Sequence, residues 1–551
     1  MNTTNPTPVP LDYLKGLTQN WRSDLLSGGI ISLIALPLCL GISLASGVPP
    51  ISGLIAGIVG GMVLSLISGS HLTINGPAAG LAVIVLTAVE GYREMAPAGL
   101  SPDQANLFAY QATLGVGVAC GVLQILFGFI RAGVLRSFFP LSVVHGMLAA
   151  IGIMIFVKQF HTGLGVSPLG KEMLEVILSI PNSVIHMNPQ IATITAVSLL
   201  ILIVLPLIPV SWIKNIPAPL VVILVAIPLG MYFNLDHEHK YLFLNNQEYT
   251  VGPQYLVTLP DKLLDGIVFP RFDYLLTGFG LQMILTYALV ASLESLLTAA
   301  AIDKMDPYYR ESDYNRELWA KGTGNIISSM IGGLPIIAEV VRSSANVRLG
   351  ARTRWSNFFH GVFLLIFVVF LSPYLHSVPL AALSAILMVT GYRLASPQSF
   401  IHIYKIGKEQ LILFITTILV TLLTDLLVGV FAGIMLKLGL NLLHGVPFKF
   451  LFIPMIRETE NPEGKKGLSL ESAAVFTSFM KIKTELDRLA NGQPLFLDVI
   501  KAEMIDHSVL DSLEDWKKRY ERKGGSLEII GLEHFKPVSS HPLATRHQAK
   551  K

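Results

Sequence analysis

Two stretches of this sequence interrupt apolar runs in the same manner. The first is Ser68-Gly69-Ser70-His71-Leu72-Thr73-Ile74-Asn75-Gly76-Pro77-Ala78-Ala79-Gly80. A short extended run ends in Asn-Gly-Pro, and a helix of small residues begins. Proline in the first turn of a helix sacrifices no hydrogen bond, because that N–H has no intrahelical partner. In the second, Gly332-Gly333-Leu334-Pro335 leads through Ile336-Ile337-Ala338 into Glu339-Val340-Val341-Arg342-Ser343-Ser344. Each predicts a short helix starting inside apolar surroundings. Such a start presents free N–H groups and about half a unit of positive charge, which is chemistry for holding an anion. Irregular backbone at membrane depth is tolerated only where it is buried in protein or lines a wet cavity. Two such breaks in corresponding halves point to a binding site of a transporter built from inverted repeats; two merely kinked helices are the plainer alternative.

Arg342 lies within the second apolar stretch, where an unpaired arginine costs several kcal/mol. It is read as a fixed cation beside the anion. Arg348, Arg352 and Arg354 read instead as surface arginines reaching for solvent. Glu294 falls in an apolar helix over 277–300, and Thr298 is one turn on, on the same face. A carboxylate there takes up a proton or coordinates a cation, so Na+ or H+ is the expected coupling ion. Glu339 reads equally as a cap on the free N–H groups of its helix and as a coupling carboxylate. His71, His145 and His360 have no mutual spacing that builds a metal site. No phosphate loop, nucleophile–base pair or metal motif points to an enzyme, and no other cofactor is expected.

The elements around these residues are those of a membrane protein. Of 551 residues, 52% are hydrophobic and 14% charged. The charges crowd into the last hundred residues. Candidate spans lie near 28–46, 51–67, 76–90, 110–130, 140–157, 190–209, 216–233, 277–300, 322–333, 339–349, 355–371, 378–392, 409–424 and 426–442. The division expected is an N-terminal segment 1–27, a transport domain 28–445, a small domain 446–536 and a disordered tail 537–551. The polar N-terminus does not read as a cleavable signal. Lys15, Arg22, Arg131, Arg136, Lys214 and the basic residues of 304–321, 348–354 and 393–408 outnumber Arg93, Lys158, Lys171, Lys240, Lys262 and Arg271 in the alternate loops. That asymmetry places both termini in the cytoplasm. Tyr241-Leu242-Phe243-Leu244 and Tyr249-Thr250-Val251 predict a β-hairpin in the loop 234–276. Beyond 448, Leu495–Val499 and Leu527–Gly531 read as strands around an amphipathic helix at Ser508–Tyr520, giving an α/β domain. Cys39 and Cys120 are too few and too far apart for a disulfide framework. A net charge of +3 gives no reason to expect nucleic acid as a partner.

The chain resembles the SulP family of anion transporters. The resemblance rests on Ala35-Leu36-Pro37, on Gly47-Val48-Pro49-Pro50-Ile51-Ser52-Gly53-Leu54, on Asn75-Gly76-Pro77-Ala78, and on Arg342-Ser343-Ser344-Ala345-Asn346 with Gly350-Ala351-Arg352-Thr353. It implies an α-helical polytopic membrane protein of two inverted seven-segment repeats, arranged as core and gate domains and usually forming a homodimer. The tail is similar to the family's STAS domain through Ile505-Asp506-His507-Ser508. The family's anion site maps to Asn75, Gly76, Pro77, Ala78, Val340, Val341 and Arg342, with Leu38 and Cys39 nearby. Two departures matter: Leu38 stands where a polar residue frequently follows the Leu-Pro, and Val341 where a serine often precedes the arginine. Backbone amides must then carry more of the coordination. Glu294 and Thr298 match positions that hold a coupling ion in some members. Ser508 matches a region phosphorylated in some related domains; as a plain serine it reads as a helix N-cap.

These readings converge on a secondary active transporter of a small inorganic anion, sulfate or bicarbonate, in the plasma (inner) membrane and coupled to sodium or protons. The alternatives are an anion exchanger, a passive anion channel, a membrane-anchored signalling scaffold with the STAS-like domain as its output, and a nucleobase or dicarboxylate carrier on the same general fold.

Overall fold

The structure is a computed structural model that describes residues 9–134, 139–170, 172–210, 216–243, 247–260, 262–461 and 464–548. Arg136, Lys171 and Lys214 of the charge comparison, and Leu244 of the hairpin, lie outside them. The chain forms two compact units, one of residues 1–133 with 151–394 and one of residues 134–150 with 395–551.

The first unit opens with α1 (Tyr13–Ala45) and α2 (Ile51–Met62). A short strand β1 (Asn75–Gly76) leads into α3 (Ala79–Glu94), and α4 (Pro102–Phe129), α5 (Leu141–Gly163), α6 (Pro189–Val204) and α7 (Ala218–Tyr232) complete the first half. The residues of α5 from 151 onward belong to this unit. The predicted hairpin is present as β2 (His239–Phe243) and β3 (Gln247–Val251), with Tyr241 opposite Tyr249. The second half repeats the order. It runs through α8 (Gly278–Met305), α9 (Tyr314–Met330), β4 (Ile337–Ala338), α10 (Val340–Arg348), α11 (Trp355–Leu375) and α12 (Leu380–Leu394). Seven helices among the described residues are long and apolar enough to cross a membrane.

Lipid supplies no hydrophobic drive between helices, so close backbone approach matters more. Two glycine contacts provide it at corresponding places. A Cβ on Gly61 of α2 would stand 2.4 Å from the Cα of Gly361 in α11. One on Gly322 of α9 would stand 2.4 Å from the carbonyl oxygen of Gly121 in α4. The second and fourth segments of the first half thus meet the fourth and second of the other, as inverted repeats require.

The second unit holds α13 (Pro397–Ile406), α14 (Lys408–Leu423) and α15 (Leu426–Leu443), followed by an α/β domain. Its main sheet has the order β5 (Ile456–Glu460), β6 (Lys466–Leu470), β7 (Pro494–Asp498), β9 (Ser526–Ile530). The first pair is antiparallel and the others parallel. Helices α16 (Phe479–Leu489) and α17 (His507–Arg522) bury Ile482, Leu486, Leu513 and Trp516 in its core. A second sheet joins β8 (Met504–Ile505), β11 (Arg546–Gln548) and β10 (Phe535–Pro537).

Several expectations need correction. Residues 537–548 are no disordered tail. β11 pairs with both β8 and β10 because their otherwise unpaired edges supply its hydrogen bonds. The span expected at 322–333 begins eight residues earlier, at Tyr314. Lys321 therefore sits inside a helix, fully buried, and not in a charged loop. Arg354 is also buried, donating to the Ser68 carbonyl at 2.8 Å and to Asp12 at 3.1 Å. Ser508 is not the cap of α17: Asp506 is, accepting from the N–H groups of Ser508 and Val509.

The strand at 546–548 generates the first prediction. Its backbone amides should exchange slowly by hydrogen-exchange mass spectrometry, on the timescale of the main sheet. Exchange as fast as in an unstructured peptide would contradict the pairing.

Candidate functional site

The site begins where the two broken segments meet. β1 and β4 pair antiparallel, with Asn75 opposite Ala338 and Gly76 opposite Ile337. The pairing satisfies backbone groups that would otherwise be stranded, and it brings the starts of α3 and α10 together. More bonds lock the run before β1 onto α10. The Ile74 N–H donates to Ser343 Oγ at 2.9 Å, the Glu339 N–H to the Ile74 carbonyl at 3.0 Å, and Asn346 Nδ2 to the Leu72 carbonyl at 2.9 Å.

Each strand is also held by a buried amide. Asn357 Oδ1 accepts from the Asn75 N–H at 3.1 Å, while its Nδ2 donates to the Gly60 carbonyl at 3.0 Å. Asn325 Oδ1 accepts from the Ile336 N–H at 2.5 Å, and its Nδ2 donates to Gln124 at 2.6 Å. Beneath Asn75 lies a buried ion pair. Lys321 Nζ donates to Asn75 Oδ1 and to Glu317 Oε1, both at 2.5 Å. The other Glu317 oxygen accepts from Ser68 Oγ at 2.5 Å and from the Gly69 N–H at 2.9 Å. Both residues are fully buried. A helical i, i+4 spacing of Glu and Lys was visible in the sequence, but the surrounding charges made the segment resemble a loop.

Arg342 is completely buried. Its guanidinium donates to the Pro77 carbonyl and lies 3.8 Å from Cys39 Sγ. A Cβ on Gly76 would stand 3.0 Å from Nη1, so glycine there leaves room for it. Glu339 caps α10, its Oε2 accepting from the Arg342 N–H at 2.6 Å and lying 3.5 Å from Nε. The capping reading of Glu339 is thus realised in the geometry. Its carboxylate charge therefore lies beside the Arg342 guanidinium at the start of α10.

A cavity of about 260 Å³ opens beside these groups. Leu38 and Ile42 of α1, Ala79 of α3, and Glu339, Val341, Arg342 and Arg348 line it. Ile386, Thr390 and Arg393 of α12 face it from another side. Val340, by contrast, is 45% exposed and does not line it. Arg348 and Arg393 are exposed, so three arginines of different burial share one cavity. The surface reading of Arg348 agrees with its exposure; Arg393 was missed as a cavity residue because the segments that line this cavity are distant in sequence.

Glu294 is buried against the first turn of α3. A Cβ on Gly80 would stand 1.9 Å from its Oε1, so the missing side chain creates the carboxylate's niche. That oxygen has no hydrogen-bond partner among the described residues. Thr298 is buried one turn on. Gly80 is the residue sequence reasoning passed over here, since a glycine within a small-residue helix start carries no distinct signal.

The model of a family described as the sulfate permease family matches residues 21–417. A putative sulfate transporter of Bacillus subtilis, YvdB, is 26% identical over 97% of this chain and 96% of its own. The bicarbonate transporter BicA of a Picosynechococcus strain is 25% identical, covering 76% of this chain and 69% of its own. Among solved structures, the overall structure of SLC26A9 superposes with a TM-score of 0.64 at 14% identity, over 94% of this chain and 85% of that one. That likeness extends the shared fold into the C-terminal domain.

The buried ion pair under β1 yields the second prediction. Lys321→Met strands the Glu317 carboxylate and should cost about 3–5 kcal/mol. The thermal midpoint in detergent should fall, and adding Glu317→Gln should restore much of it. A wild-type midpoint for Lys321→Met alone would show that the pair does not support the site.

Proposed function

We propose, since the chain belongs to the sulfate permease family, that it moves sulfate or bicarbonate across the plasma (inner) membrane by secondary active transport. The family is one of transporters and not of enzymes. The observation that carries the reading is the buried Arg342 guanidinium between two opposed helix starts at the wall of a small cavity. In the proposed mode the anion accepts from backbone N–H groups at the starts of α3 and α10 and pairs with Arg342. Asn75, Gly76, Pro77, Ala78 and Val341 shape that place, and Cys39 packs under the guanidinium. Leu38 and Val341 are apolar, so the backbone supplies most of the hydrogen bonds.

The cavity is smaller than the ~300–1,000 Å³ of drug-sized ligand sites. Its three arginines and apolar walls suit a compact anion. A nucleobase would need donors and acceptors matched to its ring edges, and the lining offers few. The carboxylates argue for coupling and against a passive channel or simple exchanger. Glu294 sits desolvated beside the start of α3, where a sodium ion or a proton would neutralise it in at least one state. Thr298 offers a neutral oxygen to sodium, and Glu339 adds a second carboxylate. In this reading both termini face the cytoplasm, as the basic residues of the alternate loops favour, and the chain works as a homodimer. Its α/β domain acts as a STAS-like regulatory unit, outside the pathway, and as the output end under the scaffold alternative.

Calorimetry tests the anion site. Arg342→Ala should weaken sulfate or bicarbonate binding roughly tenfold or more, the scale of one lost charged hydrogen bond. Glu339→Gln should tighten it, since the competing carboxylate charge is gone. Wild-type affinity in Arg342→Ala would remove that residue from the site.

Vesicle uptake tests coupling. Under a sodium gradient alone, then a pH gradient alone, one should drive accumulation of sulfate or bicarbonate. Glu294→Gln should abolish that accumulation. Cation and anion should tighten each other's binding by the same factor, as linkage demands. Accumulation by Glu294→Gln against the anion gradient would make this carboxylate structural.

A further inference from the structure

In the second unit, three metal-binding side chains converge from three separate elements. They are Glu409 in the first turn of α14, His444 just after the end of α15, and His547 in the middle of β11. One ligand atom of each lies within 4.8 Å of the others, and no other such group of three occurs among the described residues. His444 Nε2 is 3.1 Å from Glu409 Oε1. The two imidazole rings are 4.7 Å apart between centroids, tilted by 58°. The second carboxylate oxygen, Glu409 Oε2, is buried without a hydrogen-bond partner among the described residues. A buried carboxylate oxygen left empty beside two imidazoles is a costly arrangement unless something positive joins it.

The surroundings fix these groups before any ion arrives. Gln410, next to Glu409, donates to Thr545 Oγ1 at 3.1 Å, tying α14 to the chain entering β11. The register of β11 sets His547 opposite Met504 and Lys536. Gln548 donates through its backbone to the Glu503 carbonyl at 3.0 Å. The nearby cation Lys437 lies 3.8 Å from Asp506, whose charge offsets its own.

We propose that Glu409, His444 and His547 form a site for a divalent transition metal of the zinc class, which fastens β11 of the α/β domain to the ends of α14 and α15. Two imidazole nitrogens and one carboxylate are a recognised zinc donor set, with a fourth position for water. Metal–ligand bonds of ~2.0–2.2 Å in a tetrahedron put ligand atoms about 3.4 Å apart. The ligand atoms, within 4.8 Å of one another, therefore need to close by at most about 1.4 Å. Calcium and magnesium want six or more oxygens in the shell, or several retained waters, which two imidazoles disfavour. An ion held only in the folded state stabilises that state increasingly as its free concentration rises above the dissociation constant. The metal would thus act as a clamp on the C-terminal strand. The inference does not rest on the transport reading.

The test uses full-length protein purified in detergent, with any histidine tag removed and metals stripped by chelator. Titration with zinc chloride against a chelating dye should give about one ion per chain at this site. The thermal midpoint should rise as zinc binds. His444→Ala combined with His547→Ala should weaken binding by more than about a hundredfold, beyond the ~10–100-fold that a lost outer-shell partner costs. His541→Ala is the control: it sits in a separate group, its ring 6.1 Å from those of His402 and His507. Its affinity should match wild type. No zinc binding by the wild-type protein, full binding by the double variant, or equal loss in His541→Ala would each overturn the site. Zinc-edge X-ray absorption on the wild-type protein does not depend on variants folding. It should report two imidazoles with oxygen; sulfur ligands or an absence of imidazole would contradict the assignment.

Discussion

The structure turns on holding two helix starts face to face in the buried interior of the first unit. Each start carries partial positive charge, and Arg342 adds a full one between them. Such an assembly repels itself and leaves N–H groups without partners unless the surrounding chain compensates. The two-residue pairing of β1 with β4 is the smallest structure that ties the starts together. Everything beneath it serves that pairing: Asn357 and Asn325 on the strands, and the Lys321–Glu317 pair under Asn75. Glu339 then balances the remaining charge by capping α10 next to Arg342.

Inverted repetition explains why two such starts exist at all. One chain segment with a broken helix cannot satisfy its own backbone, but two copies in opposite orientation form an antiparallel pair. The same operation relates the Gly61–Gly361 and Gly121–Gly322 contacts, where backbone meets backbone. Close approach at these points sets the distance between helices, and hence the distance between the strands they carry. The repeats differ where chemistry is needed. The second copy brings Arg342 and a carboxylate cap; the first brings Pro77 and the small residues that admit the guanidinium and the Glu294 carboxylate.

Much of this was legible in the sequence. Gly-Pro breaks at 76–77 and 332–335, followed by short helices, announced the strands and helix starts. Arg342 and Glu294 stood out because charge is rare in apolar helices. The hairpin at 239–251 followed from the alternation of its two runs. What could not be read depends on distant contacts. Lys321 appeared to be a loop lysine because nothing local shows that Asn75 and Glu317 surround it. Arg354 reaches Asp12, more than three hundred residues away in sequence. Gly80 gains meaning only when Glu294 is seen against it, and Arg393 only when α12 is seen across the cavity. The C-terminal strand was missed since short polar segments become strands only when an edge is waiting for them.

The proposed place of the anion lies between the starts of α3 and α10, beside Arg342. Anomalous diffraction from crystals soaked in selenate, and separately in bromide, tests it most directly, because each heavy atom reports its own position without any assumption about coupling. One principal peak per chain is expected, within hydrogen-bonding reach of the Arg342 guanidinium or of the first amides of α3 and α10, and weaker in Arg342→Ala. A principal peak elsewhere in the first unit, with none at this place under either ion, would contradict it.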